Sequence, residues 1–175
     1  MKIQSSIYTN VPSSLLEGSG ITFTLSPFFK NFNKRLIKSP KLYFYDTGLA
    51  LSLLGISSPS QVYSHYLKGG IFENLIIAEL TKQSLHRARQ LPLYFWRDSN
   101  GNEIDGLLHK DNSLDILEIK AGKTLNSDYF KGFAYFQKLI PEMLDKQFLV
   151  YGGRESQIRK GIQVYGWQEL GKILS

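Results

Sequence analysis

One stretch of the sequence, residues 102–121 (NEIDGLLHKDNSLDILEIKA), decides how the rest of the chain is interpreted. Two runs of β-prone residues flank Asp111-Asn112, a pattern typical of a β-hairpin with its turn at that dipeptide. Residues equally distant from the turn are then opposed, so Asp105 lies directly across from Glu118. The sequence therefore predicts two facing carboxylates on neighbouring strands.

The facing carboxylates indicate a cation site. Strand side chains alternate, which places these residues on one face: Glu103, Asp105, Leu107, His109, Ile116, Glu118 and Lys120. Two opposed carboxylates about 5 Å apart destabilise a sheet unless something compensates, and oxygen ligands suit Mg²⁺ or Mn²⁺. Lys120 adds an amine beside the two acids. Asp105 with Glu118-X-Lys120 is therefore a candidate site of a metal-dependent phosphodiesterase.

A second interpretation of the hairpin needs no metal. Acid-rich strands that face solvent are common, and Glu103–Lys120 and Glu118–Lys120 would then be surface ion pairs that contribute almost nothing to stability. Both interpretations depend on the register, because a slip of one residue moves every side chain to the other face.

Composition limits the class of protein. A chain of 175 residues suits one domain with room for a small appended element. The net charge of +6 and the pI of about 9.4 favour polyanionic partners such as nucleic acid. Cysteine is absent, which excludes disulfides and thiolate metal sites. We expect a cytoplasmic protein, since the N-terminus lacks a signal-peptide pattern and no apolar run approaches the roughly 20 residues of a membrane span.

The N-terminal part combines a loose end with a β-ribbon. Residues 1–20 are mostly polar and small, and alternation at 21–25 and 41–45 predicts two strands. Between them, aromatic residues are interleaved with four basic residues that are candidate contacts to nucleic-acid phosphates: Lys30, Lys34, Arg35 and Lys38. The alternative is a solvated ribbon edge whose lysines oppose aggregation.

Two helices are predicted next. Asp46 is the expected N-cap of a short apolar helix that Gly55 ends. Apolar spacing over 71–82 predicts a longer helix, running to about residue 88. Glu73 lies within the apolar arc of this helix, where an unpaired buried carboxylate is costly and a metal would account for it. Alternatively, Glu73 is a boundary acid in the first turn, where the helix dipole favours negative charge.

The remaining segments complete an α/β pattern. Strands are predicted at 93–97, 147–151 and 161–165, with an amphipathic helix at 129–140 and a short helix at the end of the chain. Residues 70–151 thus give a helix, a three-stranded meander, a helix and a strand.

This order, with an acid on the first helix and Asp then Glu-X-Lys on the second and third strands, resembles the core of the PD-(D/E)XK nuclease superfamily. Further motifs resemble one family in particular: KSPKLYFYDTGL (38–49), GIFEN (70–74), YFWR (94–97) and NEIDG (102–106). This family is the uncharacterised nuclease-like domain found C-terminal to many prokaryotic AAA-type ATPases.

The resemblance carries expectations for fold and site. It implies a restriction-endonuclease-like domain over 46–175, preceded over 1–45 by the remnant of a winged-helix-like segment. The superfamily's site positions match Glu73, Asp105, Glu118 and Lys120. Asp105 and Glu118 would hold Mg²⁺ or Mn²⁺, with Glu73 completing the ligand set, and Lys120 would orient or help deprotonate the attacking water. Since the ATPase domain is missing here, the chain is expected to be a truncated gene product or an excised domain.

A short phosphate-loop likeness does not indicate ATP binding. Gly122-Lys123-Thr124 matches the end of such a loop, but Leu117 stands where the loop requires its first glycine. We expect that this chain binds no ATP.

Two functions follow from these observations. The first is a metal-dependent endonuclease that cleaves DNA, which the four site residues favour. The second is a catalytically inactive module that binds nucleic acid or a partner protein for an AAA-type ATPase, which the modest net charge and the missing ATPase domain favour.

Overall fold

The protein is a mixed α/β structure. A computed structural model describes residues 13–28, 39–88 and 92–174. Its helices are α1 (Ser13–Gly18), α2 (Thr47–Leu53), α3 (Pro59–Ser64), α4 (Lys68–His86) and α5 (Lys131–Leu139), with 3₁₀ segments at Ser127–Phe130 and Trp167–Ile173. Its strands are β1 (Thr22–Leu25), β2 (Lys41–Phe44), β3 (Leu93–Arg97), β4 (Glu103–Lys110), β5 (Ser113–Lys120), β6 (Leu144–Tyr151), β7 (Gln157–Arg159) and β8 (Ile162–Gly166). None of the helices among these residues combines the length and the apolar character that crossing a membrane requires.

Six strands form the main sheet, in the order β3-β4-β5-β6-β8-β7. The first three are an antiparallel meander, whereas β6 pairs parallel to β5 and β8 pairs parallel to β6. A parallel pair needs a long crossover, and α5 lies in the crossover from β5 to β6. The predicted order of helix, meander, helix and strand is therefore present as α4, β3–β5, α5 and β6.

Both faces of the main sheet are covered. On one face, Ile77 of α4 shares a buried cluster with Leu117 of β5. On the other face, Phe133 of α5 shares a cluster with Ile116. Because β5 is covered from both sides, its acidic residue Glu118 is buried as well.

The hairpin has the predicted register. Antiparallel pairs run from Gly106 opposite Leu117 to Lys110 opposite Ser113. Asp111 in the turn has a φ of +28°, a conformation that Asp tolerates better than most residues. The turn position inferred from the sequence is confirmed.

A bulge interrupts β4 near its start. Tyr94 of β3 pairs with Leu107, but Trp96 pairs with Ile104, so β4 contains one extra residue over this step. Ile104 and Leu107 consequently pack in the same cluster on the α5 face. Glu103 therefore faces the α4 side. The prediction that Glu103 and Leu107 share a face is wrong, because strict alternation does not survive a bulge.

The ribbon formed by β1 and β2 is tied to α4. Its antiparallel pairs run from Thr22 opposite Phe44 to Leu25 opposite Lys41. Asn74 of α4 is buried, and its side chain accepts a hydrogen bond from the Phe44 N–H (2.8 Å) and donates one to the Phe44 carbonyl (3.1 Å). The N-terminal strands thus pack directly onto the helix that carries Glu73.

The basic run between the two ribbon strands cannot be placed. The four residues predicted to contact phosphates, Lys30, Lys34, Arg35 and Lys38, all lie outside the described residues. Their contact with nucleic acid stays a prediction.

The helix caps agree with the sequence, while α1 and β7 lie where no helix or strand was predicted. Asp46 Oδ1 accepts a hydrogen bond from the Gly48 N–H (2.7 Å), which confirms the N-cap, and Gly55 follows α2 with a φ of +71°. The helix α1 lies where a loose end was expected, and β7 has only three residues, all exposed. Neither is long enough to show a clear periodicity in the sequence.

Candidate functional site

Charged side chains from α4, β4 and β5 meet at one place. Lys120 Nζ lies 2.5 Å from Glu118 Oε2 and 3.5 Å from Asp105 Oδ2. Asp105 and Glu73 both belong to a group of carboxylates whose oxygens lie within 4.8 Å of one another. The structure therefore brings together the four site residues proposed from the sequence: Glu73, Asp105, Glu118 and Lys120.

The bulge in β4 determines where the Asp105 carboxylate lies. The paired register of β4 and β5 ends at Gly106 and Leu117. One residue further out, Asp105 Oδ2 accepts a hydrogen bond from the Ile119 N–H (2.8 Å). The carboxylate thus occupies the position of a ladder acceptor between the two strands, and from there it reaches Lys120 on β5.

Glu118 is a buried acid and not part of a surface ion pair. Only 4% of the residue is exposed, and Gly132 of α5 leaves the space that its carboxylate occupies, since a Cβ at that glycine would overlap Glu118 Oε1. Burial, followed by the charge of Asp105, raises the pKa of Glu118 to about 8 despite the nearby Lys120. The interpretation of Glu118–Lys120 as a solvent-exposed pair is therefore wrong.

Glu103 belongs to the same cluster, although the sequence analysis did not propose it as a site residue. Its carboxylate lies within 4.8 Å of those of Glu73 and Asp105, 2.5 Å from Lys41 Nζ and 3.6 Å from Arg97 Nε. The metal-free interpretation of the hairpin paired Glu103 with Lys120. The bulge turns it toward the ribbon and α4, and a bulge has no clear signal in a single sequence.

Lys41 is a second functional candidate that the sequence analysis missed. Its ammonium lies 2.7 Å from Glu73 Oε1 and 5.0 Å from the centre of the Phe95 ring, and its side chain is 5% exposed. Burial lowers the pKa of Lys41, but the surrounding negative charges, Glu73 first among them, raise it above its ordinary value. The sequence does contain a signal for this position. Lys41 and Tyr43 are two residues apart in a strand, so the lysine lies on the same strand face as an aromatic residue that is expected to be buried.

Glu73 is held by the ribbon and not by the helix dipole. The helix begins at Lys68, so Glu73 lies in its second turn, and the interpretation of a first-turn boundary acid is wrong. The Tyr43 hydroxyl donates a hydrogen bond to Glu73 Oε1 (2.6 Å), beside the Lys41 contact. Burial and the charge of Asp105 raise the pKa of Glu73, although Lys41 and Tyr43 oppose that shift.

The charges of the cluster fit a hard divalent cation. Four carboxylates and three cations meet here: Glu73, Glu103, Asp105 and Glu118 with Lys41, Arg97 and Lys120. With every group ionised, which requires that Glu118 loses the proton that it holds in the metal-free protein, the cluster has a formal charge of −1. One divalent cation would make it +1, the sign that attracts a phosphodiester, and carboxylate oxygens are the ligands that Mg²⁺ and Mn²⁺ take in proteins.

These observations define a mixed α/β protein with a carboxylate–lysine cluster between a long helix, a ribbon and the edge of a hairpin. Comparison with family models then places the chain. Residues 68–170, more than half of it, match a family described as Domain of unknown function (DUF4143). The chain therefore belongs to this family. Residues 11–60 match a second model, Domain of unknown function (DUF8612).

The matched curated relatives are mycobacterial and far longer than this chain. They are Uncharacterized protein Mb2031c of Mycobacterium bovis and Uncharacterized protein Rv2008c of Mycobacterium tuberculosis, each 35% identical to the chain over 81 residues. The match covers 46% of this chain but only 18% of each relative. The similarity therefore concerns one part of each mycobacterial protein.

Proposed function

We propose that this chain is a metal-dependent, nuclease-like domain that hydrolyses phosphodiester bonds of DNA on a restriction-endonuclease-like, PD-(D/E)XK core. The observation that supports this best is the position of Lys120 Nζ, 3.5 Å from Asp105 and 2.5 Å from Glu118. Two carboxylates can hold a metal ion, and an amine beside them can stabilise the charge that develops on a phosphodiester during hydrolysis.

Asp105, Glu118 and Glu73 would hold the Mg²⁺ or Mn²⁺ ion. When bound, the ion would supply Lewis-acid stabilisation of the negative charge that develops on the scissile phosphate. Asp105 is held for this role by the Ile119 N–H, and Glu118 by its packing against Gly132. Both carboxylates also contact Lys120 Nζ, so the two proposed ligands from neighbouring strands lie beside the same ammonium.

Lys120 acts as a fixed positive charge. Burial lowers its pKa, but the charges of Asp105 and Glu118 more than offset this effect and raise the pKa above its ordinary value. The ammonium therefore keeps its proton at neutral pH. It can stabilise charge on the phosphate and orient the attacking water through a hydrogen bond, but it is a poor base for deprotonating that water.

DNA is the proposed partner because the chain is basic. The net charge is +6, and the basic run that contains Lys34 and Arg35 lies in the segment joining the two ribbon strands. The resemblance of the sequence motifs to the domain that follows AAA-type ATPases supports such an ATPase as a further partner.

Cleavage of supercoiled plasmid DNA tests the proposal. We expect nicking that requires Mg²⁺ or Mn²⁺, stops with EDTA and is lost in Asp105→Asn and Lys120→Met. Two exposed residues provide matched controls, Asp145→Asn and Lys146→Met, which should cleave at the wild-type rate. Equal cleavage by the site variants and the controls would refute the assignment.

Lys41 supports a second candidate function. Its ammonium already lies between the carboxylates of Glu73 and Glu103, where a second cation would otherwise be expected. A site neutralised in this way suits a catalytically inactive module that binds nucleic acid or a partner protein for an AAA-type ATPase. In that case DNA binding would depend on salt but not on EDTA or Asp105→Asn, and no nicking would occur.

A further inference from the structure

A cavity of about 670 Å³ lies next to the carboxylate–lysine cluster. We call it the α3–α4 cavity, because its walls come from α2, α3, α4 and the segment that follows β5, and its lining includes Leu51, Val62, Tyr63, Phe72, Lys123 and Trp167. Its lining is mostly apolar, and its volume is within the range of about 300–1,000 Å³ that small-molecule sites occupy.

Aromatic rings and cations are combined at this cavity. Tyr63 and Trp167 are 56% and 38% exposed, so part of each ring is accessible to a ligand. Lys123 Nζ lies 4.4 Å from the centre of the Tyr63 ring, and Lys68 Nζ lies 5.9 Å from it. Within the described residues neither lysine forms an ion pair. Their charges are therefore available to an anionic ligand.

The cavity is lined by chain neighbours of the candidate site, although none of Glu73, Asp105, Glu118 and Lys120 lines it. Phe72 lines it, and the next residue of α4 is Glu73. Ala121 also lines it, directly after Lys120 at the end of β5. The cavity and the carboxylate–lysine cluster are therefore built on neighbouring residues of the same two elements, α4 and the end of β5.

We propose that the α3–α4 cavity binds one unpaired nucleotide of the nucleic acid, with the base among the apolar side chains against Tyr63 and the phosphate facing Lys68 and Lys123. This inference rests on the proposed function for the source of the nucleotide. A paired base cannot enter the cavity without leaving its duplex, which costs free energy. The preferred substrate class is therefore nucleic acid with a single-stranded segment, such as an overhang or a flap.

Trp167 provides a direct measurement of binding. The second tryptophan, Trp96, is fully buried, so quenching of fluorescence by a ligand in the cavity reports on Trp167. The full chain would be titrated in EDTA with a 12-nucleotide single strand, the matching blunt duplex, thymidine monophosphate or laurate. We expect the single strand to bind at least about tenfold more tightly than the duplex, since unpairing costs a few kcal/mol.

Two substitutions on the rim sharpen the test. Tyr63→Ala should weaken single-strand binding about tenfold, the loss expected for one stacked base, while Tyr63→Phe keeps the ring and the affinity. Lys123→Gln should weaken binding and reduce the slope of log K against log[salt] by about 1. Lys131→Gln, at an exposed lysine on α5, removes the same charge and should bind like the wild type.

Equal affinity for single strand and duplex, or unchanged binding in Tyr63→Ala, would overturn this inference. Quenching by laurate but not by nucleotides would also overturn it. Thymidine monophosphate that binds as tightly as the single strand would overturn it too, because the cavity would then be a site for free nucleotides. Because EDTA prevents metal-dependent cleavage, binding and catalysis are scored separately. If the single strand binds in the cavity but Mg²⁺ supports no nicking, only the proposed nuclease activity is refuted. If nicking occurs while Tyr63→Ala and Lys123→Gln bind the single strand like the wild type, only the proposed nucleotide site in the cavity is refuted.

Discussion

The ammonium of Lys41 lies 2.7 Å from Glu73 Oε1, so a residue of the N-terminal ribbon supplies a cation to a cluster carried by a helix and a hairpin. The same ammonium lies 2.5 Å from Glu103. Glu73 and Glu103 come from different elements, and Lys41 is the group that joins them. The ribbon is thus part of the candidate site.

Lys41→Met should destabilise the metal-free protein. Removing the cation takes away the ammonium that two partly buried carboxylates share, although Glu73 keeps the Tyr43 hydroxyl and Glu103 keeps Arg97. We expect this to lower the free energy of unfolding by about 3 kcal/mol, at the low end for breaking a buried ion pair. Mn²⁺ should restore much of this loss, because the proposed ion would bind Glu73, one of the two carboxylates that Lys41 contacts. Urea denaturation in EDTA and in Mn²⁺ measures both effects, with the exposed Lys146→Met as control. A variant as stable as the control in EDTA would contradict the role of Lys41.

The stability of the metal-free protein should fall between about pH 4.5 and pH 8. Glu118 holds its proton up to a pKa of about 8 in the folded protein, whereas the unfolded chain releases it near 4.5. The folded state then binds more protons across this window, so the free energy of unfolding decreases as the pH rises. Glu118→Gln should flatten this decrease by at least about 1 kcal/mol between pH 5 and pH 9. A pH profile identical to that of the wild type in EDTA would show that Glu118 ionises normally.

Gly132→Ala should disturb the site from the opposite helix. Alanine usually stabilises a helix relative to glycine, but here its Cβ would overlap the Glu118 carboxylate. We expect destabilisation of about 1–3 kcal/mol, typical of overpacking, together with loss of nicking. Gly171→Ala is the matched control, since the nearest atom to its Cβ is 3.9 Å away. Thermal unfolding that ranks the two variants equally would contradict this packing.

Asn74→Ala should release the ribbon from α4. The substitution leaves the N–H and the carbonyl of Phe44 without their side-chain partner, and Thr47 loses one as well. We expect a loss of about 2 kcal/mol and faster hydrogen exchange at the Phe44 N–H. Gln137→Ala, at an exposed position of α5, should change stability by less than about 0.5 kcal/mol. Unchanged exchange at Phe44 would show that the ribbon is held by other contacts.

Local patterns in the sequence predicted much of the fold. The hairpin register follows from a symmetrical arrangement around Asp111 and Asn112, and the structure has that register. The long helix follows from apolar spacing that is repeated over several turns. Both signals involve residues close together in the chain, which is why a single sequence was enough.

The finer geometry of the candidate site depends on features without such a signal. One extra residue in β4 turns Glu103 toward α4, and a bulge leaves no regular trace in the alternation. Lys41 and Glu73 are 32 residues apart, and only the packing of the ribbon on α4 brings them together. The space for Glu118 depends on Gly132, which lies on another element.

Anomalous diffraction from a crystal soaked in Mn²⁺ tests the central claim most directly. The account predicts a peak between the carboxylates of Asp105 and Glu118, which is lost in Asp105→Asn. No peak there at saturating Mn²⁺, with Lys120 still bridging the two acids, would contradict the metal-dependent site.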